Sequence, residues 1–270
     1  MIRSPLLFVP CLAALAILPV GISRAASIAV NFHHADYLDN TGIQSGETAM
    51  GIPGSSWTNL AITGAGGAAS GTGSAGGLTI VWNSANAWNA GSEGVLGTDA
   101  SQQVFRMYLD DGDGGSSFFD GDGYGASVQI SGLAAFLGTN GAASFSLTLY
   151  FSTDSTSFTT ADVRQGLLGG TPSATSISSL SLLGNIAPQE PLGDGTYPIP
   201  NGAQTDTGGH RGIGTLSGLT ADSITVAMPV NAGNGVRGSL AGFSVTAVPE
   251  PSVSLMLGGL GLMGLLRRRR

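Results

Sequence analysis

The chain contains no lysine. Its ten basic residues are all arginine, set against 17 acidic ones, for a formal net charge of −7. A nucleic-acid-binding surface needs a basic footprint, so this balance excludes nucleic acid as a partner. Cysteine is nearly missing, with Cys11 the single one. Charged residues make up only 10% of the 270 positions and aromatics 7%. This is not the composition of a disordered chain, because 42% of the residues are hydrophobic and such a chain can bury enough apolar surface to fold. A chain of this length buries roughly three-quarters of its unfolded surface, which is enough for a sizeable core. No internal repeat with a period of roughly 20–50 residues marks a solenoid or propeller. What the chain has in excess is glycine, at 44 residues.

The first segment, 1–25, reads as a secretory signal peptide. Arg3 gives the positive start, Leu6 to Val20 the apolar run, and Ser23 and Ala25 the small-residue cleavage site. A signal of this kind implies the Sec export machinery as a partner. Cys11 leaves with it. The mature chain then holds no disulfide, no thiolate metal site and no cysteine nucleophile.

The last segment, 248–270, is built differently. It runs Val248-Pro249-Glu250-Pro251, then 15 uncharged residues from Ser252 to Leu266, then Arg267, Arg268, Arg269 and Arg270. As a helix, 15 residues span about 22 Å, short of a hydrocarbon core of about 30 Å. The arginines keep that end on the cytoplasmic side, so the segment reads as a transmembrane helix that holds an exported chain at the inner membrane. The order Pro-Glu-Pro, Gly/Leu-rich helix, Arg cluster resembles the PEP-CTERM sorting signal of Gram-negative bacteria that make exopolysaccharide. The resemblance implies recognition and processing by the membrane enzyme exosortase near Pro249-Glu250-Pro251. Release or attachment at the outer surface or in the extracellular matrix would follow.

Between these segments, four arginines face 16 acidic residues, a net charge of −12. Helical periodicity is almost absent, and period-two alternation takes its place. Phe145, Leu147, Leu149 and Phe151 alternate with Ser144, Ser146 and Thr148. The same pattern recurs at Ile28–Phe32, Val128–Ile130, Ile224–Met228 and Phe243–Val245, and further strands are expected at 78–82, 104–109 and 176–183. Eight or nine short strands separated by Gly, Asn, Asp and Ser turns need a second sheet to cover their apolar faces. The expected fold is all-β: a single jelly-roll-like β-sandwich over 26–247. The Gly/Ala/Ser/Thr stretch 63–77 is expected to be a mobile loop, and 188–212, with four prolines, a second irregular connection. The segments Ile28–Phe32, Gly54–Leu60, Met107–Asp110, Ile130–Leu133 and Ser146–Phe151 make the body similar to a loose group of exported PEP-CTERM proteins. That likeness implies the sandwich and no catalytic residues.

Three groups of side chains carry candidate chemistry. Asp110, Asp111, Asp113, Asp120 and Asp122 put five carboxylates in 13 residues among glycines, a donor set that suits Ca²⁺. An EF-hand starting at Asp120 is excluded, since its twelfth position is Ser131 rather than a bidentate glutamate. The bland alternative is solvated Asp-Gly turn chemistry. His33 and His34, near Asp36 and Asp39, offer a transition-metal cluster, but adjacent residues of a strand point to opposite sides. Trp57 and Trp88 stand in turn-like surroundings and are the candidates for stacking on sugar faces. Serine-nucleophile chemistry lacks a Gly-X-Ser-X-Gly elbow between strand and helix. The expected role is therefore structural or adhesive, without catalysis. The alternatives are a carbohydrate-binding module for exopolysaccharide, with Ca²⁺ as its one candidate cofactor, and a surface hydrolase.

Overall fold

A segment that alternates apolar and hydroxyl side chains hides its apolar half only as a strand with one face inward. Phe145, Leu147, Leu149 and Phe151 are all fully buried, while Ser144, Ser146 and Thr148 are only partly so. The computed structural model describes residues 25–34, 42–62, 69–89, 100–110, 123–153, 157–169, 176–189, 210–230 and 236–249. Among them, eleven strands form two packed sheets. They are β1 (Ser27–His34), β2 (Trp57–Ile62), β3 (Ala69–Ala75), β4 (Leu78–Ser84), β5 (Tyr124–Ser131), β6 (Ala142–Thr153), β7 (Ala161–Gln165), β8 (Ser181–Ile186), β9 (His210–Leu219), β10 (Ser223–Pro229) and β11 (Gly242–Pro249).

One sheet has five strands in the order β9-β6-β11-β1-β2, and the other six in the order β8-β7-β10-β5-β4-β3. From β5 onward the chain crosses between the sheets at every step except β7 to β8, which gives the arched, jelly-roll-like course. Pairing within the sheets is antiparallel except between β1 and β2, which run parallel with Ala29 opposite Trp57. The core lies between the sheets. Val30, Phe32, Phe145, Phe151, Phe243 and Val245 from one side meet Ile80, Val128, Ile130, Ile224 and Val226 from the other. Each large apolar side chain sequestered here contributes roughly 1.5–3 kcal/mol.

The stretch 63–77 is not all loop. Ala69–Ala75 is the edge strand β3, paired residue by residue with β4. Its inward positions, Ala69, Gly71, Gly73 and Ala75, have little volume of their own, and neighbours fill the space. A Cβ on Gly71 would stand 2.2 Å from the Trp82 ring, and one on Gly73 would stand 2.6 Å from Leu60. The β3–β4 hairpin turns on Gly76 and Gly77, both at positive φ (53° and 88°), the geometry of a two-residue turn that glycine favours.

Two other expectations change. Residues 104–106 are not strand: a short helix covers Ala100–Gln103, and the strand begins at Met107. In 176–183, a 3-10 turn at Ile177–Ser179 precedes β8. Helix is also present at Leu133–Asn140, where Leu133, Phe136 and Leu137 are buried at helical spacing. Asp222 holds its start, accepting from Leu133 N through its carbonyl (3.0 Å) and from Ala134 N through Oδ1 (3.1 Å). Gly141, at φ 58°, ends it.

The strands share a common direction for their ends. Ser27, Pro249, Ala142 and Leu219 of one sheet lie at the same end as Ser131, Ser223, Leu78 and Gln165 of the other, linked by the 132–141 and 220–222 connections. This is the terminal end. β1, β6 and the strand Met107–Asp110 run out at the opposite end.

Candidate functional site

Of the five aspartates proposed for Ca²⁺, Asp110 is described. It closes the strand Met107–Asp110 and is almost fully buried. Its Oδ1 accepts from Ser239 Oγ at 3.2 Å and its carbonyl accepts from Ser84 Oγ at 2.6 Å, so it anchors the base of the acidic segment. Asp111, Asp113, Asp120 and Asp122 lie outside the described residues. Among the described residues, no three His, Cys, Asp or Glu side chains converge as metal ligands. Asp36 and Asp39 are outside as well.

The two candidate tryptophans stand in different settings, and both are in strands rather than turns. Trp57 is 7% exposed. Its ring lies 5.7 Å from that of Tyr150, and its Nε1 donates to the Ile52 carbonyl at 3.3 Å. Phe105 meets the same tyrosine edge-on at 6.2 Å. Trp57 therefore packs the layer formed by 42–57 and 100–105 over the outer face of the five-stranded sheet, with Ile43, Ala49 and Val104. A ring held this way has no open face for a sugar. Trp88 is 44% exposed.

Sequence reading missed a polar cluster on the outer face of the six-stranded sheet. Arg164 donates through NH2 to Asp162 Oδ2 (2.9 Å) and to Tyr124 Oη (3.0 Å), and through NH1 to the Leu180 carbonyl (2.8 Å). Tyr124 Oη donates to Asp162 Oδ2 at 2.6 Å, and Asn185 Nδ2 donates to Oδ1 at 2.6 Å. Burial first, and then the bond to Asp162, pushes the tyrosine hydroxyl up from its ordinary value. Burial alone would lower Arg164, but its bonds to Asp162 and Tyr124 raise it. Each carboxylate oxygen has a donor, so the cluster works as a clamp on the 176–180 segment. The available signal was Asp162 and Arg164 two residues apart, hence on one face of a strand.

Arg211 is the converse case. It is 7% exposed, sits opposite Ser152 in the β6–β9 ladder, and its Nε has no hydrogen-bond partner among the described residues. Burial lowers its pKa to about 10. A shift of that size corresponds to a penalty of about 3 kcal/mol for holding the charge in the folded state. The penalty is in full force below pH 10, and stability rises as pH climbs above that, because the unfolded chain then binds the extra proton. Arg211→Met is accordingly expected to stabilise the protein by about 1–3 kcal/mol at neutral pH, read as a higher urea midpoint. A lower midpoint would show that the guanidinium has a partner worth more than its burial.

Away from the Trp57 layer, the outer face of the five-stranded sheet is open and carries hydroxyls. Thr148 and Thr215 are bonded across β6 and β9 at 2.9 Å, Ser146 donates to Ser217 at 3.0 Å, and Ser27 is bonded to Thr246 across β1 and β11 at 2.9 Å. Ser146 also stands opposite Thr246, and Thr148 opposite Ser244. The result is an uncharged array repeating at about 4.8 Å across strands and about 6.8 Å along them.

β11 leads directly to the C-terminal segment. Its last residue, Pro249, stands opposite Ala142, and Ala247 N donates to the Ala26 carbonyl at 2.9 Å. Residues 247–270 match the PEP-CTERM protein-sorting motif. The chain carries an exosortase sorting signal. It is thus an exported protein, anchored at a membrane for sorting before exosortase processes it. Within the PEP-CTERM motif only 247–249 are described; Glu250, Pro251, the apolar stretch 252–266 and Arg267, Arg268, Arg269 and Arg270 lie outside, as do residues 1–24 of the expected signal peptide. Among the described residues, no helix is long and apolar enough to cross a membrane. No curated protein and no solved structure matches the chain.

Proposed function

We propose that the sandwich body is a non-catalytic structural or adhesive element of the cell surface or extracellular matrix, delivered there by its PEP-CTERM signal. The observation that carries this reading is the open hydroxyl face of β6, β9, β11 and β1. Its hydroxyls are spread over the strand register rather than gathered at one point. Such a surface suits extended contact with a polymer or another sandwich, where many weak bonds add by multivalency.

A second reading, contact with exopolysaccharide, is favoured by the same face. A body with a charge of −12 between its terminal segments repels anionic polymers, but Ser27, Ser146, Thr148, Thr215, Ser217 and Thr246 bring no charge of their own. A neutral polysaccharide is therefore the better match. Thr148→Glu with Thr215→Glu places two like charges opposite each other on this face, which costs roughly 0.2–1 kcal/mol, but both positions are outside the core, so the fold should hold. We expect the double variant to be processed normally but lost from the matrix fraction, with binding to a neutral glucan reduced at least about tenfold if each lost contact is worth roughly 1 kcal/mol. Matrix retention equal to wild type would overturn the assignment of this face. Retention lost with glucan binding unchanged would favour protein contacts over polysaccharide.

A further inference from the structure

The end of the sandwich that carries both termini differs from the rest of the surface. The described connections at this end are the 51–56 segment that enters β2, the 76–77 turn, the helix-bearing 132–141 segment, 166–169 with 176–180, and the 220–222 turn. They join residues 25–26 and 247–249 there. In these pieces the single charged side chain is Asp222, and one of its carboxylate oxygens accepts from the helix backbone at Ala134; Glu47 stands beside them, its carbonyl accepting from Gly54 N and its carboxylate from Gln44 N. Apolar exposure gathers in the same half. Of the five large hydrophobic side chains exposed among the described residues, Leu167, Leu182, Leu183 and Val248 lie towards this end, and Trp88 does not. Single exposed leucines are ordinary. Leu182 stands opposite Arg164, whose charge is matched by Asp162, and four such side chains towards one end of a body this acidic mark a contact surface.

Lipid explains the combination. β11 passes from the body into the sorting segment with no spacer, since Pro249 is still paired with Ala142. A chain held at a membrane by that segment has this end next to its tether. The described acid Asp110 lies at the far end, where β1 also runs out. An eight-residue strand such as β1 spans about 26 Å. That exceeds the screening length of about 8–10 Å at physiological salt, so anionic headgroups would scarcely feel Asp110.

We propose that the terminal end of the sandwich is a lipid-contacting surface, on which the body rests against the headgroup–acyl boundary until the sorting segment is processed. Leu167 and Leu182, on the six-stranded sheet, are the decisive contacts. Val248 would lie near lipid through its tether alone. The inference rests on the sorting signal and not on the adhesive reading of the hydroxyl face, so either can fail without the other.

The test uses the full chain with Cys11→Ser in nanodiscs of phosphatidylethanolamine and phosphatidylglycerol. A single cysteine is introduced as Leu167→Cys, Leu182→Cys or Trp88→Cys and labelled with an environment-sensitive fluorophore. All three positions are exposed, so each label should be tolerated. Blue-shifted emission and quenching by brominated lipid are expected at 167 and 182 and not at 88. Adding Leu183→Glu should weaken the quenching at 182 without shifting the thermal midpoint. Equal quenching at all three positions, or none at 167 and 182, would overturn the proposal. So would burial of those labels only when exosortase shares the disc, since the surface would then be a protein docking site.

Discussion

Replacing Pro249-Glu250-Pro251 by three alanines should leave the full-length chain in the membrane fraction, with the processed form and its surface delivery lost. The effect is separable from folding. Pro249 is the final residue of β11, partly exposed and opposite Ala142 at the sheet's end. Proline has no N–H to give to the ladder, so alanine there removes no hydrogen bond. Substitutions at such sites change stability by no more than about 0.5 kcal/mol. An immunoblot of membrane and external fractions, with a thermal melt of the same variant, checks both halves. Unchanged processing would sever the motif from sorting. A large fall in the melting midpoint would mean instead that the motif's first proline is part of the sandwich's stability.

Trp82→Ala should cost about 4 kcal/mol, close to the whole stability of many domains. Trp82 is almost fully buried, tilts against Phe32 with ring centroids 5.9 Å apart, and covers the empty flank of Gly71 on the neighbouring strand. Removing the indole opens a cavity that β3 cannot collapse into, because its inward residues are glycine and alanine. The partner substitution sharpens the test. Gly71→Val alone should destabilise, since its Cβ would meet the ring at 2.2 Å. In the Trp82→Ala background the same valine should restore stability, by filling the hole with a residue that favours strands. Additive losses in the double variant, measured by urea unfolding, would show that the two residues do not share that space.

The contrast between β6 and β3 shows what could be read in advance. In β6 the alternation is written in large side chains, and the burial of Phe145 to Phe151 follows directly. In β3 the same period exists, with Ser70, Thr72 and Ser74 outward and Ala69, Gly71, Gly73 and Ala75 inward. Its inward half has no hydrophobic bulk because Trp82 and Leu60 supply it from elsewhere, so composition pointed to a loop. The 133–140 helix was hidden because two turns carry only three buried residues. Trp57 stands beside Gly54, Ser55 and Ser56, which resemble a turn, but the layer that covers it is assembled from segments some 50 residues apart. The Tyr124–Asp162–Arg164 clamp likewise depends on pairing of β7 with β10 and of β10 with β5, which no local pattern specifies. The sorting motif was legible because it is a linear signal, complete within a few turns of chain.

The place of β11 also fixes an order of events in time. Its neighbours include β1, and Ser27 bonds to Thr246 across a separation of 219 positions. Contacts this distant in sequence form late, since the intervening loop must close first. An exported chain emerges amino-terminus first, so the first strand waits unpaired on this side until almost the whole body has followed. The strand that completes the sheet is the last to arrive, and the sorting segment comes immediately behind it. Folding can therefore reach completion only after the last strand has crossed, with the sorting segment directly behind it in the chain.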